Sequence, residues 1–371
     1  MTKQNEQPIP GEASNALHRN TWTMDADWQD DEPQLAPLRF TASELLDHLI
    51  RDPAPVTGRD LYAFSDLTRR DTELIRQGWP AVPVERRRTV VRNLVELAEH
   101  DLDLHLGRIL RIAMQDSDAD VRQIAIEGLW EDTTSDLVGP LVDTLKRDPH
   151  EQVRAAAAAV LGNFVLAGEL DELDAALAMR AEQALLEVVR NEDEPLKVQS
   201  RALESLAYSS EAGVRQLIEN AYYSPHEALR VSALVAMGRS ADVHWRSYAR
   251  AELQSPSTTM RAEAARACGE LESRSATSEL VQLLADEERP VRLAAIFALG
   301  RIGGRNARNA LGAMQTEGEP IEAEAAADAL EEMLFYGDGG DGALFADEDD
   351  EDDEGDRWAV DDDDDLGEYA R

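Results

Sequence analysis

Seven apolar positions recur at a near-constant interval, and an alanine stands four residues after every one of them. The anchors are Val121, Val153, Val198, Leu229, Met260, Val291 and Ile321, at separations of 32, 45, 31, 31, 31 and 30 residues. The alanines are Ala125, Ala157, Ala202, Ala233, Ala264, Ala295 and Ala325. A period near 31 residues is too long for a single helix or strand repeat. It fits a supersecondary unit stacked on copies of itself. Eight residues after each anchor come Leu129, Leu161, Leu206, Met237, Cys268, Leu299 and Ala329, which completes one apolar stripe along a helix. The alanine in mid-stripe predicts close approach between neighbouring repeats. The separation of 45 predicts one repeat with an insertion, near 166–181.

Five residues before each anchor stand Asp116, Asp148, Asp193, Ser224, Ser255, Asp286 and Thr316, whose side-chain oxygens suit the N-cap of a helix. Pro149, Pro225 and Pro256 follow three of them, where a fixed φ helps a helix begin. A second apolar segment at helical spacing follows within each unit, as in Leu137, Val138, Leu141, Val142 and Leu145, so each repeat reads as a helix pair. Hydrophobic residues make up 43% of the chain and aromatics only 5%, a balance that favours helices packed through Ala, Leu and Val over a sheet.

The segments DEERPVRLAAIFALGRIGG (286–304) and DPHEQVRAAAAAVLGNF (148–164) resemble the short HEAT-like repeats first associated with phycobilisome lyases. The resemblance covers roughly 81–336. It implies an all-α, right-handed α-α superhelix, a HEAT/armadillo-like solenoid of about seven to eight helical hairpins. The less regular segment 84–114 is expected to begin the stack, and a lone helix ending near Phe335 and Tyr336 to finish it. Residues 41–80 suggest a short helical N-terminal cap, with helices near 44–50 and 68–78 that pack through Leu45, Leu46, Leu49, Leu74, Ile75 and Trp79.

Residues 1–40 are polar and proline-bearing, and 337–371 hold seventeen acidic residues against two arginines, so both are expected to be disordered acidic tails. Trp22 and Trp28 punctuate the first, and Phe345, Trp358 and Tyr369 the second. The net charge of −38 repels phosphate backbones and anionic lipid, which argues against direct nucleic-acid or membrane binding and favours a basic protein partner. The acidic C-terminal segment offers nucleic-acid mimicry toward such a partner, contact with arginines of its own solenoid, or simple solubilisation. The N-terminal residues lack the apolar core of a signal peptide, which points to the cytoplasm. The single cysteine, Cys268, reads as a small core residue.

Two His-Glu pairs, His150-Glu151 and His226-Glu227, are the weak metal candidates. They are similar to the pairs with which the deoxyhypusine hydroxylase family holds two irons. That family implies four pairs within helices, whereas here two pairs stand before the anchor and 76 residues apart. Glu151 and Glu227 instead suit capping boxes with Asp148 and Ser224. The arginines that follow the anchors, Arg122, Arg154, Arg230, Arg261 and Arg292, predict a structural ladder onto the caps of neighbouring repeats. Irregular residues are the better binding candidates. Tyr222, Tyr223, His244, Trp245, Arg246, Tyr248 and Arg250 cluster on predicted second helices, the set expected to line the concave face, and Trp358 adds a tail aromatic. The expected function is a non-catalytic scaffold or adaptor that binds a protein and needs no cofactor. The alternative is an enzyme of the same fold, akin to a bilin lyase subunit or an iron-dependent hydroxylase.

Overall fold

The computed structural model describes residues 38–101 and 103–337; Trp22, Trp28, Trp358 and nearly all of both expected tails lie outside them. The described residues form helices and no strand, as the repeat pattern requires. Helices α1 (Ala42–Arg51), α2 (Gly58–Leu61) and α3 (Arg69–Gly78) come first, followed by α4 (Val84–His100) and α5 (Gly107–Ala113). The anchor-bearing helices are α6 (Ala119–Glu127), α8 (Glu151–Glu169), α10 (Leu196–Leu206), α12 (Glu227–Arg239), α14 (Thr258–Glu270), α16 (Arg289–Ile302) and α18 (Pro320–Gly337). Between them run the second helices α7 (Val138–Arg147), α9 (Ala175–Val189), α11 (Ala212–Tyr222), α13 (Arg246–Ala251), α15 (Thr277–Leu283) and α17 (Gly304–Glu317). The insertion is absorbed by lengthening α8 and α9 to 19 and 15 residues.

Each anchor helix from α6 to α18 packs on the next, and each also packs on a second helix beside it. The anchor-layer contacts are made by very small residues. A Cβ on Gly269 would stand 2.7 Å from the Cα of Ala298, and one on Gly162 would stand 2.8 Å from Ser205 Oγ. That Ser205 hydroxyl donates to the Ala158 carbonyl at 2.9 Å, so a short side chain ties one helix to the backbone of the other. The mid-stripe alanines of α6 to α16 are fully buried. The last repeat departs from the sequence reading. Ile321 is 51% exposed, and Glu322, one residue on, takes the anchor position at 1% exposure with Ala326 buried behind it. The interval from Val291 then becomes 31, like those before it. A buried glutamate at an apolar position is tolerated because Arg292 and Arg289 donate to its Oε1 at 2.8 and 3.2 Å.

The expected caps sit two residues too early. Where a side chain caps an anchor helix, it does so three residues before the anchor, as Asp118 does for Val121 N–H and Ser257 for Met260 N–H. The oxygens of Asp116, Asp148, Ser224 and Asp286 accept instead from the N–H two residues on, closing the turn ahead of the helix. Pro149, Pro225 and Pro256 therefore precede the cap. Thr316 is not a cap at all, since its hydroxyl donates back to the Gly312 and Ala313 carbonyls. Glu151 and Glu227 form no capping box, and Glu227 accepts from Ser257 Oγ of the next repeat at 2.6 Å.

The arginine ladder is present and has two ends. Each arginine donates to a carbonyl of its own turn: Arg122 to Asp116, Arg154 to Asp148, Arg230 to Ser224, Arg261 to Ser255 and Arg292 to Asp286. Four of them also reach a carboxylate of the next repeat, and two do so bidentately: Arg122 on Asp148 at 2.8 and 2.9 Å, and Arg261 on Asp286 at 2.9 and 3.0 Å. Among the described residues Arg230 makes no such pair, and Ser255 stands where Arg122 and Arg261 meet an acid.

At the N-terminal end, Leu45, Leu49, Leu61, Phe64, Ile75 and Trp79 are buried, whereas Leu74, expected to pack, is exposed. Trp79 Nε1 donates to the buried Asp116 at 2.7 Å, and Arg87 Nε lies 3.0 Å from the same carboxylate, which ties this region to the first turn of the array. Thr41–Glu44, Thr57–Asp60 and Thr68–Asp71 are complete capping boxes.

Gly269→Ala should lower the unfolding free energy by about 1–3 kcal/mol, because the opposing atoms are backbone. Gly312→Ala, where nothing lies within 4 Å inside α17, should raise it by about 0.5–1 kcal/mol. Urea titration of both variants measures the difference. Arg88 holds the Asp118 carboxyl down from 3.8 to about 2, and Arg261 lowers that of Asp286. The stability that Asp118 contributes is complete above about pH 4 and is lost as pH falls through about 2. Asp118→Asn should flatten that acid limb in denaturation curves taken across it.

Candidate functional site

Helices α11 and α13 meet through aromatic side chains. Glu211 begins α11 by accepting the Gly213 N–H at 2.9 Å, and the helix ends in the Tyr222-Tyr223 pair. Ala241, at φ 52°, turns the chain back, and Asp242 accepts the His244 N–H at 3.0 Å to start a short 3-10 turn over Val243–Trp245 that leads into α13. The result is a connected set of rings. Tyr222 lies edge-on to Tyr223 and to Tyr248, with centroids at 5.0 and 5.4 Å. Tyr248 lies 5.2 Å from Trp245 and 5.6 Å from His244.

The sequence candidates divide into three groups. Tyr223 is 67% exposed, His244 is exposed, and Tyr222 and Tyr248 are half-buried, so these four share one surface step. Trp245 is corrected to a core residue, 1% exposed beneath that step. Arg246 and Arg250 turn away from it toward the following repeat: Arg246 Nε donates to the Leu271 carbonyl at 2.9 Å, and Arg250 Nη2 pairs with Glu279 at 2.7 Å. Consecutive anchor helices pack closely throughout, whereas α9, α11, α13 and α15 make few contacts with one another. The step therefore lies on this more loosely packed layer.

Two residues missed by the sequence reading complete the site. Tyr222 Oη donates to Glu252 Oε1 at 2.8 Å, and Tyr248 Oη reaches Glu219 Oε1 at 3.5 Å, the outer limit of a hydrogen bond. Burial, reinforced by Glu252, holds the Tyr222 phenol well above its ordinary range. Burial also raises Tyr248, with Tyr223 and Glu219 adding to it. Both phenols stay protonated as donors. Among the described residues neither Glu219 nor Glu252 forms an ion pair. Val243, beside the rings, is 62% exposed.

The closely packed layer carries a different concavity, a cleft of about 240 Å³ where Arg201, Arg239 and Arg266 face Glu204, Glu263 and Glu270. Its charges are internally matched. Arg201 donates to Glu204 at 2.6 Å, Arg266 pairs with Glu263, and Arg239 donates to the Glu204 carbonyl at 3.2 Å. Burial raises the Glu270 carboxyl above its ordinary range.

The His-Glu pairs are not assembled into a centre. His150 Nδ1 stands 3.3 Å from Arg122 Nη2, His226 precedes α12 on the surface, and Glu227 is held by Ser257. Among the described residues no group of three or more His, Cys, Asp or Glu side chains is placed to hold a metal ion. Cys268 lies within the anchor stripe, where burial pushes its thiol up to about 12.

The family model for HEAT repeats matches residues 108–192 and 248–331. The complex of CpcE and CpcF of phycocyanin lyase from Nostoc sp. PCC7120 is similar at TM-score 0.42 and 18% identity, over 62% of this chain and 94% of that one. Importin beta gives TM-score 0.42 and 14% identity over 78% and 46% of the two chains. Human deoxyhypusine hydroxylase gives 0.28 and 18% over 79% and 97%. No curated protein matches. At these scores none of the three bears on what this chain does.

Packing and surface roles separate on mutation. Trp245→Ala should cost about 3–5 kcal/mol of stability, and Tyr223→Ala less than about 0.5 kcal/mol, read by chemical denaturation.

Proposed function

The chain is an α-solenoid carrying HEAT repeats, and from that premise we propose that it is a non-catalytic scaffold whose solenoid surface binds a protein partner. The observation that carries this reading is the aromatic step: Tyr223 and Val243 stand largely in solvent on the rim of rings that bridge two helices. Exposed tyrosines held in place by buried neighbours are typical anchors of a protein interface, since they supply contact area at low entropy cost. The loosely packed layer suits such a role, because its helices carry little of the tight packing that holds the array together.

The acidic excess favours a basic partner and speaks against phosphate-rich ones. Among the described residues no helix is long and apolar enough to cross a membrane. The role needs no cofactor, and the cytoplasm is the compartment it fits best.

Affinity capture with the full chain, residues 41–336 alone and full-length Val243→Asp tests the reading. The first two baits should retain the same partner, and Val243→Asp should lose it. Retention by the full chain alone would assign recognition to the termini instead.

A further inference from the structure

The repeat register shows what kind of group the aromatic step receives. Counting back 31 residues, Arg250 on α13 corresponds to Glu219 on α11, and Glu279 on α15 corresponds to Tyr248 on α13. The two pairs occupy the same slot between consecutive second helices. At the α13–α15 junction the slot is closed by a cation on a carboxylate, with Arg250 Nε 2.9 Å from Glu279 Oε1. At the α11–α13 junction it holds a carboxylate and a phenol, Glu219 and Tyr248, and among the described residues no cation pairs with that carboxylate. Glu252 adds a second carboxylate, which among the described residues accepts from the Tyr222 phenol.

We propose that this junction binds a cationic side chain, above all an arginine, carried on an exposed basic segment of the protein partner. The proposal rests on the scaffold reading and specifies the chemistry of its contact. A guanidinium entering here finds the Glu219 and Glu252 carboxylates and the exposed Tyr223 ring on one surface step. Both attract it, through charge-assisted hydrogen bonds and through the ring quadrupole. The edge-to-face arrangement of Tyr222 against Tyr223 and Tyr248, at 76° and 79°, fixes the rings before binding. Arginine is favoured over lysine because a planar guanidinium stacks on a ring and forks onto a carboxylate at the same time. An anionic segment would meet the same two carboxylates as repulsion. The slot thus takes from a partner the cation that Arg250 supplies internally one repeat later.

The test uses the full chain and three labelled peptides of alternating glycine with arginine, lysine or citrulline, the last a neutral isostere of arginine. Binding is followed by fluorescence anisotropy near 0.15 M salt, where diffuse attraction to acidic surface is screened beyond about 8 Å. Glu219→Arg places the cation of the next junction into this one, and Tyr223→Ala removes the exposed ring. The arginine peptide should bind best. Its affinity should fall about tenfold in Glu219→Arg and about fivefold in Tyr223→Ala, while the citrulline peptide stays equally weak on all three proteins. Tyr223 is exposed enough that its variant keeps the fold even if Glu219→Arg does not. Equal arginine-peptide affinity for the wild type and the folded variants, or tighter binding of citrulline, would overturn the proposal. The scaffold reading would survive that result if the capture experiment still returned a partner lost on Val243→Asp.

Discussion

Direct contact between helix backbones in the anchor layer is the constraint from which the rest follows. A Cβ on Gly269 or Gly162 would collide with the next helix, so consecutive anchor helices are held at a separation only the smallest residues allow. The arginine after each anchor works on the same joint. It ties down its own turn through a carbonyl and, in four of the five, grips a carboxylate one repeat ahead, so the joint is set by a directional contact as well as by close packing. With one layer fixed so tightly, the other must spread. The second helices become short struts whose mutual contacts are loose, and their facing residues are free to differ from repeat to repeat.

The architecture was legible because its cause is steric and therefore periodic. The six alanines from Ala125 to Ala295 at one offset reflect one packing requirement met repeatedly, and no other reading of Ala157, Ala202 or Ala264 accounts for their spacing. The caps were misplaced because Asp and Ser are favoured equally by an N-cap and by the turn just before it, and only the N–H that each side chain accepts from distinguishes Asp116 from Asp118. The register of α18 slipped because a buried glutamate looks like a surface residue until its arginines are seen. Ile321 was the natural choice, and the third dimension was needed to show that Arg289 and Arg292 make Glu322 the inward-facing one.

The site was half visible. An uncommon concentration of aromatics drew attention to the right two helices, but burial on a helix as short as α13 has no periodic signal, so Trp245 and Tyr223 could not be ranked by exposure. Arg246 and Arg250 resembled interface anchors because arginine serves equally well inside a fold and between folds. Glu219 was the recoverable omission: set in column with Arg250, it is a change of charge sign at an otherwise equivalent position.

Glu322 has a bearing on how many repeats the array contains. Its carboxylate is acceptable only beside a preceding helix that supplies Arg289 and Arg292. Copied to the middle of the array, the helix would still need those donors behind it and would present the acid-rich α18 surface to the repeat ahead. Tandem duplication lengthens solenoids easily when units are interchangeable, and this last unit is not. Its chemistry works as a terminator, so gain or loss of repeats by recombination is confined to the interior of the array.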